Sequence, residues 1–300
     1  MASRARQDRR AILRMGLASA GVSLASQAVV PAAKAQSQTR QDGGMRGGST
    51  VRLSSGMQMF YREDWLGAPW VDGEPAVFLH GNLETGEVWY GWVPRMAQQF
   101  RVYRPDFPGY GHSPAPPADF DWSLASFSKL VAEYLDALGL QSAHIIGAKT
   151  GGAIAMQFAA TYPQRVRTLT VASGPFGRVD PQFENSSQQV RLGSGASKEQ
   201  IEYFEKLRNE TSRDTRREIQ KLLSNINLDN LLPRITAPAL IITSDKSALQ
   251  SVETVLRYQP KIPNSRLLVL TSDAYHVAVA NAEECVTNVL GFIQGAKARG

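Results

Sequence analysis

The sequence predicts an α/β fold, a mostly parallel, doubly wound sheet with an inserted helical lid, and three observations carry the prediction. Short apolar, strand-like runs alternate with segments of helical period between residues 50 and 172. A polar and mostly helical stretch at 175–235 interrupts that rhythm, which resumes over residues 239–293. Strands that alternate with helices form parallel sheets covered on both faces. A 300-residue chain with 43% hydrophobic residues suffices for one such core and a modest insertion.

Taken in order, residues 50–54 and 57–64 read as an opening hairpin around Gly56, and 76–79 as a short buried strand. Residues 88–100 have helical spacing, 101–104 are strand-like, and 123–138 form an amphipathic helix ended by Gly139. A strand at 144–146, a helix at 151–162 and a strand at 168–172 follow. In the lid, Val190, Leu192, Ile201, Phe204, Leu207, Ile219, Leu222 and Leu223 are expected to form the inner side, under a charged and solvated face. The core then closes with a strand at 239–243, a helix near 252–258, a strand at 265–270 and a helix from 282 to 293.

The net charge of +6 is misleading as a guide to partners. Six of the 33 basic residues and one of the 27 acidic residues lie within residues 1–35, so the rest carries 27 against 26. A nucleic-acid partner therefore has no support. Residues 1–35 read as an export signal: Arg9-Arg10 begins an Ala/Gly/Ser-rich run, and Ala33-Lys34-Ala35 supplies a cleavage site. The segment resembles a twin-arginine signal and implies a periplasmic or secreted protein. Ser19, Ser23, Ser26 and Gln27 make the run too polar for stable membrane insertion. Residues 36–48 read as a flexible linker, 49–174 as the first part of the core, 175–235 as the lid and 236–300 as the second part. Cys285 is the only cysteine, so no internal disulfide forms.

Six motifs occur in a telling order: FLHGN at 78–82, RPDFPGYGHS at 104–113, GAKTGG at 147–152, YPQRV at 162–166, PALIIT at 238–243 and AYHVAVANAEE at 274–284. Together they resemble the α/β-hydrolase superfamily over nearly all of residues 51–295. The resemblance implies a nucleophile turn at GAKTGG, in which Lys149 stands where a serine is expected. Gly147 and Gly151 leave room for a strained strand-to-helix turn around it. The backbone N–H groups of Thr150 and Asn82 are the implied oxyanion donors. His276 falls at the position of the catalytic base. The acid position is occupied by Ser247, and Asp245, two residues earlier, is the candidate acid, with a solvated loop carboxylate as its bland alternative.

Lysine changes the chemistry that the turn can support. An amine that attacks an ester leaves a stable amide, whereas with a ketone or aldehyde it forms a reversible Schiff base that draws electrons from a neighbouring C–C or C–H bond. The helix N-terminus and burial favour a neutral amine. A nearby carboxylate, Asp245, Glu84 or Glu87, would instead restore the charge and make Lys149 an ion-pair member or a clamp for an anion. Hydrolysis by water activated at His276 is a further expectation, and an inactive ligand-binding homologue is the alternative. Trp89, Tyr90, Trp92, Phe107 and Tyr110 hint at a small apolar or aromatic substrate if they line the pocket. Neither a dinucleotide fingerprint nor a metal-ligand pattern occurs, so neither an organic cofactor nor a metal is expected.

Overall fold

The computed structural model describes residues 47–180, 183 and 186–298. The predicted export segment, and all but the last two residues of the linker, lie outside them. Eight strands form one sheet in the order β1-β2-β4-β3-β5-β6-β7-β8. Strands β1 (Ser49–Arg52) and β2 (Gln58–Asp64) make the expected hairpin, and β2 also runs antiparallel to β4 (Phe100–Pro105). The others are parallel: β3 (Glu74–Leu79), β5 (Ala143–Ala148), β6 (Val166–Ala172), β7 (Ala239–Ser244) and β8 (Ser265–Leu270). Every residue of β5 and β7 is buried, whereas the edge strand β8 is mostly half-exposed. Central parallel strands covered on both faces require that near-continuous apolar character.

Strand order positions the site. After β3 the chain adds β4 on one side and then returns to place β5 on the other. The loops after β3 and β5 therefore diverge over a crevice at the carboxyl ends of the strands, the switch point where such sheets bind ligands. FLHGN and GAKTGG are those two loops.

Helices α2 (Leu124–Ala137) and α3 (Thr150–Thr161) cover one face of the sheet, and α9 (Ala282–Lys297), which follows the single turn α8 (Val277–Ala280), belongs to the apolar layer of the other. The Ser123 hydroxyl accepts the Ser126 N–H at the start of α2, and Gly139 with a φ of 70° ends it. The continuous helix expected over 88–100 is instead a 3-10 segment, Gly86–Gly91, and a single turn, α1 (Val93–Met96). Pro94 supplies no N–H to continue a preceding helix but fits the first turn of a new one. Trp89 and Trp92 pack edge-on against each other and against Phe78 in the core beneath this segment.

Within the lid are α4 (Gln188–Leu192), α5 (Lys198–Glu210) and α6 (Arg213–Ser224). Ser197 and Gln200 close α5 with a reciprocal capping box. Leu192, Phe204, Leu207, Ile219, Leu222 and Leu223 are buried as expected, and Ile201 is half-buried. Val190 departs from expectation. It is exposed because α4 turns Arg191 and Leu192 inward instead. Helix α7 (Val252–Tyr258) falls where the sequence places it.

His144 is a structural residue in β5. Its Nδ1 meets the Thr168 hydroxyl at 2.8 Å and its Nε2 meets Glu74 at 3.2 Å. Burial dominates over the nearby carboxylate and lowers its pKa to about 4. Between about pH 6.5 and that value the unfolded chain binds a proton that the folded one does not, so stability falls on acidification through this window. Burial lowers His80 and His276 in the same direction. Denaturant unfolding at pH 7 and pH 4.5 is expected to show a smaller loss of stability for His144→Gln than for the parent protein, and an equal loss would contradict this assignment.

Candidate active site

Lys149 occupies a sharp strand-to-helix turn, with φ 52° and ψ −124° at the N-cap of α3. A side chain held at such angles costs about 1–3 kcal/mol and persists only where its surroundings dictate it. Here they do. The Lys149 N–H donates to the Ala172 carbonyl at 3.1 Å, and the Gly152 N–H donates to the Lys149 carbonyl at 2.9 Å. A Cβ on Gly147 would lie 2.3 Å from the Gly151 carbonyl oxygen, and one on Gly151 would lie 2.3 Å from that of Leu79. Both glycines are thus required by close backbone approach.

Lys149 is 4% exposed. Its Nζ donates to Glu84 Oε1 at 2.5 Å and to the Asn82 carbonyl at 3.3 Å. Glu84, in the loop after β3, is buried as deeply. Its other oxygen accepts the Gly81 N–H at 3.2 Å. His276 Nε2 lies 2.9 Å from the same Oε1 that meets Lys149, an ion-pair distance without the alignment of a straight hydrogen bond. One carboxylate therefore stands between the turn residue and the histidine. Burial would raise the Glu84 carboxyl, but His276 and Lys149 hold it far below the usual carboxylate range. Burial lowers His276, Glu84 pulls it upward, and Lys149 and Arg191 push it down again. The net direction is downward, which favours the neutral imidazole.

Asp245 is not the acid of this site. It is exposed, and its Oδ1 accepts the Ser272 N–H at 2.9 Å, so it fastens the loops after β7 and β8. Ser247 accepts the Gln250 N–H at 3.4 Å in the same loop. No hydrogen-bond partner meets His276 Nδ1, and the carboxylate of the histidine is Glu84 on its other nitrogen. The sequence identified Glu84 only as one of three carboxylates within conceivable reach. Glu87, another of them, instead pairs with Arg62 at 2.7 Å and accepts the Tyr203 hydroxyl at 2.8 Å.

Asn82 and Thr150 lie side by side. The Thr150 hydroxyl donates to Asn82 Oδ1 at 3.1 Å, and both residues line a cavity with Lys149. The Thr150 N–H belongs to the first turn of α3, where backbone donors have no partner within the helix. Pro175, Val179, Phe183, Arg191, Leu223, Leu249 and Tyr275 complete the wall, and the empty space within it, part of it open to solvent, is about 320 Å³. His276 and Glu84 lie behind Lys149 and outside the lining. Trp89, Trp92, Phe107 and Tyr110 are core residues, and Tyr90 is exposed. The aromatic wall comes from Phe183 and Tyr275, which the sequence had not marked for this role. The described residues contain no group of three or more His, Cys, Asp or Glu able to hold a metal ion, and none of their helices is long and apolar enough to cross a membrane.

Removing one member of a buried ion pair strands the other charge. Lys149→Met and Glu84→Gln are each expected to cost about 3–5 kcal/mol in denaturant unfolding, whereas the double variant costs clearly less than the sum. Additive losses would show that the two groups are not coupled.

The model of the α/β hydrolase fold family matches residues 75–195. Over 248 residues the chain is 26% identical to a pimeloyl-[acyl-carrier protein] methyl ester esterase of Aeromonas hydrophila, a match that covers 74% of this chain and 96% of the esterase. A shorter match of 112 residues, 39% identical, covers 36% of this chain and 20% of bifunctional epoxide hydrolase 2 of Sus scrofa. Among solved structures, a hydrolase from Pseudomonas aeruginosa superposes with a TM-score of 0.73 at 22% identity, covering 83% of this chain and 99% of that one. The enol-lactonase of Burkholderia xenovorans gives 0.73 at 17% identity, covering 82% and 100%. With its eight-stranded, mostly parallel sheet and strained turn, the chain has the α/β-hydrolase fold, and residues 75–195 match the model of that fold family.

Proposed function

We propose that the protein is an exported enzyme that acts on a small carbonyl compound, with Lys149 as the group that bonds to it. The observation that carries this reading is the location of the lysine amine. It sits at the strained turn and lines the cavity, with Glu84 and His276 stacked behind it. An ammonium, a carboxylate and a neutral imidazole carry no net charge. Passing the lysine proton through Glu84 to His276 leaves the total unchanged and frees the amine for attack.

The steps balance without a cofactor. The neutral amine adds to the carbonyl carbon, and the oxygen of the adduct is held at the N–H groups of Asn82 and Thr150. Internal proton transfer gives a carbinolamine. His276 then returns its proton through Glu84 to the hydroxyl, and water leaves. Ketone and ammonium have become iminium and water, and the iminium weakens an adjacent C–C or C–H bond. Because burial disfavours imidazolium, the loan to His276 is transient.

A second reading is favoured by the 2.5 Å contact between Lys149 and Glu84 and by the esterase relatives. In it Lys149 remains a fixed positive charge beside Asn82 and Thr150, and either polarises an ester for direct attack by water or holds a ligand without turnover. Activation of that water by His276 has little geometric support, because Nε2 faces Glu84 and the ring lies outside the cavity wall.

Borohydride added in the presence of small ketones and aldehydes is expected to fix their mass on the peptide that contains Lys149. Ester hydrolysis or ligand capture with no adduct from any carbonyl compound would favour the second reading. Lys149→Ser alone is expected to remain inactive toward simple esters, because Glu84 still occupies the Nε2 side of His276 and no acid supports Nδ1. Efficient hydrolysis of p-nitrophenyl acetate by that variant would show that an ordinary serine triad lies latent in the fold.

A further inference from the structure

The loop that joins β2 to β3, residues 65–73, reads WLGAPWVDG and has a framework of its own. Trp65 is its keel. The Arg101 guanidinium sits over the Trp65 ring at 5.5 Å, and the indole Nε1 donates to the Ala68 carbonyl at 3.3 Å. A Cβ on Gly67 or on Gly73 would overlap that ring, so the two glycines let the loop close on it. The Leu66 N–H donates to the Ala97 carbonyl at 2.8 Å and ties the loop to the residue that ends α1. The Val71 N–H donates to the Ala68 carbonyl at 3.1 Å, which closes a turn with Pro69 at its favoured second position and Trp70 beside it at the apex.

What this framework displays is apolar. Leu66 is 60% exposed, Trp70 85% and Val71 47%. Single apolar side chains on a surface are ordinary, but a braced loop that presents three of them together is a patch. At those exposures the patch offers roughly 400 Å² of apolar surface, about half of the ~800 Å² that a stable protein partner covers on one side. A lipid surface has no such requirement, because it closes around a projecting apex of any shape. An indole is also the side chain suited to the boundary between headgroups and acyl chains. Asp72 is the one charged residue of the loop, and Arg101 meets both it, at 3.6 Å, and Glu63, at 2.6 Å. The apex therefore carries no cation to attract anionic headgroups.

We propose that the 65–73 loop docks the protein reversibly on a zwitterionic lipid surface, with Trp70 at the edge of the acyl chains and Leu66 and Val71 beside it. The loop stands at the amino end of β3, whereas Asn82 and the cavity lie beyond its carboxyl end. Docking therefore holds the opposite end of the sheet and is independent of the chemistry at Lys149.

Co-sedimentation of the full chain with phosphatidylcholine vesicles compares the parent with the double variant Leu66→Ser, Trp70→Ser and with Trp70→Phe. The rest of the chain is the same in all three, so a difference reports the loop. The parent is expected to bind, the double variant to bind at least about tenfold more weakly, and Trp70→Phe to keep most of the affinity. Added salt is expected to change little, because apolar burial rather than ion pairing supplies the attraction. Brominated phosphatidylcholine is expected to quench tryptophan emission in the parent and clearly less of it in Trp70→Phe. Unfolding midpoints that match the parent's show that these exposed substitutions leave the fold intact. No vesicle binding by the parent, or equal binding by the parent and the folded double variant, overturns the proposal. A parent dimer that the double variant loses in analytical ultracentrifugation, with no vesicle binding by either, also overturns it and assigns the loop to a second copy of the chain.

Discussion

A single buried carboxylate, Glu84, organises this site. Water does not solvate it, so its charge must be balanced by protein groups. Lys149, His276 and the Gly81 N–H supply that balance from three separate loops, after β5, β8 and β3. The constraint accounts for the lysine at the turn: a hydroxyl there would leave Glu84 without its cation. Lysine and glutamate are a matched pair 65 residues apart. The lysine at the turn therefore belongs to a linked site in which His276 faces the same carboxylate.

The fold brings these loops together through the reversal in strand order between β4, β3 and β5. Apolar layers on both faces of the sheet hold the strand ends firmly enough to impose the strained angles of Lys149. The lid completes the arrangement from outside. Its first helix is pinned by the Arg191 carbonyl to His276, while α5 and α6 bury the apolar faces of Phe204 and Leu223. Rigidity at the turn and a wall contributed by the lid are what a site needs to hold a reacting group in one geometry.

The strands and most helices were legible because their apolar period is set by burial within each segment. The helix over 88–100 was misjudged, since Pro94 breaks a pattern that spacing alone suggests. Lys149, Asn82, Thr150 and His276 stand in motifs that mark them in the sequence, and the loops after β3, β5 and β8 bring them near one another. The acid was not legible. Asp245 lay near the usual position in sequence, but its side chain is spent on Ser272, and which of several carboxylates reaches a histidine is decided by loop packing. Arg191 and Phe183 were missed for a related reason. A polar, helical insertion carries no local mark of which residues it turns toward the core: Val190, expected on the inner side, is exposed, while Arg191 is buried.

Nitrogen-15 NMR of protein labelled in lysine and histidine, recorded for the parent and for Glu84→Gln, tests the central arrangement most directly. At pH 7 the parent is predicted to show Lys149 Nζ as an ammonium and His276 as a neutral ring with its proton on Nε2, both resonances shifting when Glu84 loses its charge. An imidazolium at His276, or Lys149 and His276 signals indifferent to Glu84→Gln, would contradict the shared carboxylate on which this account of the site depends.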